Sequence, residues 1–153
     1  MTAVADGSML LAMLKTIRDS WGWTGLEPAA VIASNDFGNV VVKAADGAYW
    51  RICPEALTCE LIAQSDSEFG TVWASNDFQR DWQMTRLVEI ASATLGQVDA
   101  ERCYCLKVPS VLGGEYDAKN LGTIFLLELL SFSGFVAQQI NDLPDGATAQ
   151  FRL

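Results

Sequence analysis

Apolar residues near the start of the chain recur with the spacing of one helical face. Leu10, Met13, Leu14, Ile17 and Trp21 fall at i, i+3, i+4 and i+7 intervals, which predicts an amphipathic helix over about 9–20. Ser8 is placed to cap it, and Gly22 and Gly25 to end it. The pattern then shortens to short extended runs at 30–33, Val40–Ala44, 48–53 and Thr58–Ala63. The turn Asn35-Asp36-Phe37-Gly38-Asn39 separates the first two. Asp46-Gly47 is a strong two-residue hairpin signal, and Pro54 stops the third run. In that run Tyr49, Arg51 and Cys53 alternate against Trp50 and Ile52. These segments predict an antiparallel meander of three or four strands.

Helical spacing returns in the second half. A short helix is expected at 66–75, then a longer one capped by Asn76 or Asp77 and running to Leu95. Phe78, Trp82, Leu87, Val88, Ala91 and Leu95 would face inward, with Gly96 as the C-cap. The run RCYCLKVP reads as a strand ended by Pro109. A loop, LGGEYDAKN, follows, and Asn120 is placed to cap an apolar helix over 121–141. Asp142 to Gly146 closes that helix and leaves a short tail. The stretch 121–140 approaches membrane length, but Glu128 sits in its middle and no basic cluster flanks it, so it reads as a buried core helix. No repeat or linker interrupts the chain. The expected fold is α+β: an antiparallel sheet of about four to five strands packed with helices, one compact domain over 1–153.

Composition narrows the chemistry. Hydrophobic residues make up 50% of the 153 positions, with five Trp and seven Phe, which is enough for a core without disulfide or metal staples. No basic segment precedes the first apolar stretch, so a secretory leader is not expected and the cytoplasm is the expected compartment. Cys53, Cys59, Cys103 and Cys105 have C-x5-C and C-x-C spacings, which match no common zinc ribbon and read as small buried hydrophobes. Histidine is absent, which removes most catalytic triads and most zinc sites. Loop carboxylates Asp36 and Glu115 have no partner in sequence, and Cys103 or Cys105 would lack a histidine base. Gly113-Gly114 lacks the Lys-Ser/Thr of a phosphate loop and reads as a tight turn requiring positive φ. No catalytic residue, cofactor or metal site is therefore assigned. A third reading, a small-molecule binder or enzyme, would rest on Glu128 and the glycine loop.

Acids outnumber bases 19 to 10, for a formal net charge of −9. Such a surface favours solubility, disfavours nucleic acid and anionic membrane, and attracts basic partners. The excess is local. Residues 60–81 carry Glu60, Asp66, Glu68, Asp77 and Asp81 against Arg80 alone. Residues 113–146 carry Glu115, Asp117, Glu128, Asp142 and Asp145 against Lys119 alone. Aromatics among acids suit a surface that binds Arg and Lys, although Asp66, Glu68 and Asp77 also suit helix N-termini. The candidate partner contacts are Asp66, Glu68, Phe69, Trp73, Asp77, Asp81, Glu115, Tyr116 and Asp117.

The run Val31-Ile32-Ala33-Ser34-Asn35-Asp36-Phe37-Gly38-Asn39 is followed by Asp46-Gly47 and Tyr49-Trp50-Arg51-Ile52. Then come Leu95-Gly96, Cys103-Tyr104-Cys105, Leu112-Gly113-Gly114, Asn120 and Glu128. In this order the motifs resemble the C-terminal domain of type VI secretion immunity proteins of the Tde/Tdi DNase-toxin system, over about 28–141. More loosely, they resemble the SUKH immunity group. The resemblance implies a cytosolic protein that binds and neutralises a cognate toxin, often a nuclease, without catalysis or cofactor. It also implies structural roles for Phe37, Gly38, Trp50, Gly113, Gly114, Asn120 and Glu128. A SUKH-like interaction module with no toxin partner is the alternative. Charge agrees with the first reading, because a nuclease face that holds phosphates is basic and steers an acidic inhibitor.

Overall fold

The computed structural model describes residues 6–147; the start of the leader reading and most of the expected tail lie outside them. Four strands form an antiparallel meander in the order β1 (Pro28–Ser34), β2 (Val40–Ala44), β3 (Tyr49–Cys53) and β4 (Thr58–Ala63). Their alternation sorts side chains to two faces. Val40, Val42 and Ile52 point to one face, where they meet α1 (Gly7–Trp21) and α5 (Leu126–Ile140). Val41, Tyr49 and Ala63 point to the other, where Phe69, Trp73, Phe78 and Trp82 cover them from α2 (Asp66–Ala74) and α3 (Asn76–Gln83). The sheet thus lies between two helical layers. Beside it, β5 (Arg102–Leu106) and β6 (Leu121–Phe125) form a separate antiparallel pair, covered by α4 (Thr85–Leu95) through Ala91, Tyr104, Leu106 and Leu121. The fold is α+β in one compact domain, with the expected four-stranded sheet plus a second two-stranded one.

The α1–α5 layer is tight. A Cβ on Gly134 would lie 2.4 Å from the Ser20 carbonyl oxygen, so only glycine lets the helices meet there. Trp21 Nε1 and Ser20 Oγ both donate to the Leu130 carbonyl, at 3.0 and 3.2 Å. Trp23 Nε1 donates to the Gly134 carbonyl at 3.2 Å.

Five expectations need correction. Asp6, not Ser8, caps α1: its carboxylate accepts from Met9 N at 2.8 Å, and Ser8 lies inside the helix. The helix expected from 76 to 95 is two helices, broken at Met84 in the left-handed region (φ 47°). The reason is that Trp82 belongs to the core under the sheet while Ala91 belongs to the core over β5–β6. Ser75 rather than Asn76 or Asp77 caps α3, and Leu95 is 37% exposed rather than inward. Finally, 121–125 is a strand, so Asn120 caps no helix. Leu121–Phe125 pairs residue by residue with Arg102–Leu106, and the first α5 amide, Leu126 N, donates to the Glu101 carbonyl at 2.9 Å. That shortens α5, and no described helix is long and apolar enough to cross a membrane.

Candidate partner-binding surface

The sequence places two acidic groups, and the fold handles them differently. The first lies on α2 and α3. Ser65 caps α2 by accepting from Glu68 N at 3.1 Å, and the Glu68 carboxylate reaches back to Gln64 N at 3.2 Å. This reciprocal arrangement satisfies two backbone donors. Asp66 accepts from Tyr49 Oη at 2.6 Å and from Lys43 Nζ at 2.9 Å. The Tyr49 hydrogen bond, then Lys43, holds the Asp66 carboxyl below its usual range, while the same contacts raise both partners.

Behind these acids runs a chain of rings. Tyr49 stacks on Phe69 at 4.1 Å between centroids, Phe69 meets Trp73 at 5.7 Å, and Trp73 meets Trp82 edge-on at 5.4 Å. Phe69 and Trp73 are therefore partly buried supports of the layer that still reach its surface. Arg51 sits against the far end, 5.5 Å from the Phe78 centroid and 5.3 Å from that of Trp82. Its guanidinium donates to Asp81 at 2.5 Å and, from Nε and Nη2, to Asn39 Oδ1 at 3.1 and 2.8 Å. Asn39 in turn donates to Glu55 Oε2 at 2.8 Å. Burial raises the Glu55 carboxyl, partly offset by hydrogen bonds including that from Asn39. The polar chain Glu55–Asn39–Arg51–Asp81 thus ties the buried edge of the sheet to the surface of α3.

Asp77 differs from the other acids here. Its side chain is 98% exposed, and its ties are local to α3: a place in the first turn and a 3.9 Å approach to Arg80. Asp66 and Asp81, though paired, keep side-chain exposures of 74% and 71%. A cleft of about 550 Å³ opens between this layer, β1 and α4, lined in part by Trp73, Gln79, Trp82, Gln83 and Glu89.

The second group, Glu115, Tyr116 and Asp117, lies on the loop joining β5 to β6. Asn120 organises that loop: its Oδ1 accepts from Val108 N, and its Nδ2 donates to the carbonyls of Val108 and Glu115, all at 2.9 Å. Gly113 has the positive φ expected of it (94°). Gly114 is there for a different reason, because a Cβ would fall 1.7 Å from the Val108 carbonyl oxygen. Asp117 accepts from Lys119 N at 3.1 Å, Glu115 is exposed, and Tyr116 is 49% exposed. None of the bonds or ring contacts described above joins this loop to α2 or α3.

Two features were not read from the sequence. The Arg51 relay joins residues 12 and 30 positions apart, which no local pattern displays. The outer face of α5, with Phe132 and Phe135 exposed, was taken as core. Glu128 is also exposed and bonds to nothing in the glycine loop. Of the four thiols expected to be buried, Cys103 is, while Cys53, Cys59 and Cys105 are half-buried. All four are free, and burial pushes Cys53 and Cys103 up to about 12 and Cys59 to about 11, so they remain protonated at neutral pH. No group of three or more Cys, Asp or Glu among the described residues is arranged to hold a metal ion.

These features define an α+β domain that presents acids on an aromatic-backed helical layer. Residues 63–136, from the end of β4 into α5, match the family described as T6SS immunity protein Tdi1, C-terminal. That match, over just under half of the chain, supports a type VI secretion immunity protein, and the family implies binding to a cognate toxin. A search of curated proteins finds no match to the chain. All nine candidate contacts fall inside the matched segment.

Proposed function

We propose that this protein neutralises a DNase delivered by type VI secretion, through one-to-one binding in the cytoplasm of the cell it protects. The observation that carries the reading is the family match over 63–136, the segment that builds the α2–α3 layer and the 115–117 loop. Asp66, Asp77 and Asp81, and the loop acids Glu115 and Asp117, supply the field. Glu68, Phe69, Trp73 and Tyr116 complete the contact surfaces. An acidic surface meeting a phosphate-binding face raises the encounter rate toward about 10⁸ M⁻¹s⁻¹ at low salt. The same field disfavours nucleic acid, so the protein itself binds none, and the function requires no cofactor or catalytic group.

Co-expression with the toxin encoded beside this gene tests the reading. The expected result is a co-purifying complex and intact plasmid DNA in cells that otherwise lose it. Neutralisation of a toxin that leaves DNA intact removes the nuclease part alone. Absence of both complex and protection removes the immunity reading.

A further inference from the structure

The outer face of α5 is apolar where a surface helix is ordinarily polar. Leu126, Leu129, Leu130, Ser133, Gly134, Val136 and Ala137 fill the core-facing side of the helix. On the opposite side Phe132 is 44% and Phe135 55% exposed, and with Ile124 and Leu127 they line an open groove of about 620 Å³. Exposed aromatic patches of this kind mark contact sites.

Within this groove stands one charged residue, Glu128, whose carboxylate has no ion pair or hydrogen bond with another of the described residues. Among the described residues, no lysine or arginine lines the groove. A second copy of the chain is therefore a poor occupant. A two-fold interface apposes the same lining to itself, and would desolvate two carboxylates without a cation. The charge calls for a partner whose apolar surface carries a basic residue. Glu128, Ser131, Phe132 and Phe135 follow the i, i+3, i+4, i+7 row that forms the ridges and grooves of helix-on-helix packing. The whole lining, 124–135, lies in the segment matched to the immunity family.

We propose that this groove receives an amphipathic helix of the toxin, which packs apolar side chains against Phe132, Phe135, Ile124 and Leu127 and sets a lysine or arginine against Glu128. The inference rests on the reading of the chain as an immunity protein, and adds an apolar anchor to the charged surface proposed above. Anchoring and steering then reside on opposite faces of the sheet. The acids on α2–α3 govern the encounter rate, and the α5 groove governs the lifetime of the complex.

Binding of the purified, catalytically disabled toxin from the adjacent gene separates the two claims. Wild-type protein, Phe135→Asp, Glu128→Lys and Glu128→Gln are compared by interferometry, with melting temperatures recorded for each. Phe135 and Glu128 are exposed, so Phe135→Asp and Glu128→Gln are expected to melt close to the wild type, and Glu128→Lys slightly lower because it sets a cation in the first turn of α5. Phe135→Asp and Glu128→Lys are expected to weaken binding by about 30-fold or more, mainly through faster dissociation. Glu128→Gln is expected to weaken it by about tenfold, with the loss shrinking as salt is raised. Wild-type binding with unchanged affinity in Phe135→Asp and Glu128→Lys overturns the groove and leaves the immunity reading standing. No binding by the wild type overturns both. A concentration-dependent dimer of the wild type that Phe135→Asp abolishes assigns the groove to a second copy and also overturns the proposal.

Discussion

The two faces of the four-stranded sheet are covered by different physics. On one, Val40, Val42 and Ile52 are fully buried beneath α1 and α5, and the helices touch backbone to backbone at Gly134. On the other, α2 has no fully buried residue and α3 only Trp82. That layer is held by stacked rings, helix caps and the pairs Lys43–Asp66 and Arg51–Asp81. The first face supplies stability that a change in charge does not reach. The second places its acids in water on a rigid aromatic footing, at the cost of less buried apolar area. The acids therefore fall into two kinds. Those that tie the layer to the sheet and also show themselves, such as Asp66 and Asp81, are distinct from Asp77, whose contacts stay within its own helix.

The strongest way to break this contrast is through the buried face. Leu130→Ala, at a position with no exposure, is expected to cost about 2–5 kcal/mol in denaturant unfolding. The Trp21 and Ser20 bonds go to the Leu130 backbone carbonyl and survive the change, so the loss is one of packing between α1, α5 and the sheet. Arg51→Ala is expected to cost less, about 2 kcal/mol, since it removes charged hydrogen bonds to Asp81 and Asn39. Hydrogen exchange should then quicken in α3 while α5 stays protected. Arg51→Lys should not restore it, because an ammonium cannot replace the planar fork.

Glu55 sharpens the comparison through pH. Its carboxyl is raised by burial above the ordinary value of 4.5, so the folded state holds that proton more tightly than the unfolded chain. The corresponding stability is fully present below the unfolded value and is lost as pH rises through the folded one. Glu55→Gln keeps an acceptor for Asn39 and removes the titration. Urea midpoints should show it at least as stable as wild type at pH 7, with the advantage disappearing below about pH 4.5. The smallest stability effect belongs to Asp77→Lys, within about 0.5 kcal/mol of wild type. It should nevertheless slow toxin association and flatten its dependence on salt. Asp66→Lys is a poorer probe, because it also loses the Tyr49 and Lys43 contacts.

Much of the meander was legible because local signals agreed: an apolar run at 40–44, alternation in 49–53, Asp46-Gly47 at the hairpin and Pro54 at the stop. α1 was legible from its apolar face, although its cap lies two residues earlier than Ser8. The break at Met84 was not legible, because its cause is tertiary: Trp82 and Ala91 serve different cores. β6 was hidden inside an apolar run whose strand character depends on β5 lying beside it. At the surface, the placing of Asp66 and Glu68 at a helix N-terminus was foreseeable from the sequence. The bracing of Asp66 by Lys43, 23 residues away, was not. The α5 groove was obscured by the same run of apolar residues, since composition alone does not separate a covered helix face from an open one.

Titration of the toxin's activity with the protein tests stoichiometric neutralisation most directly. With the toxin well above the dissociation constant, activity is expected to fall linearly and vanish at one equivalent. Complete protection at a small fraction of an equivalent, or undiminished toxin activity at a large excess, would contradict neutralisation by one-to-one binding.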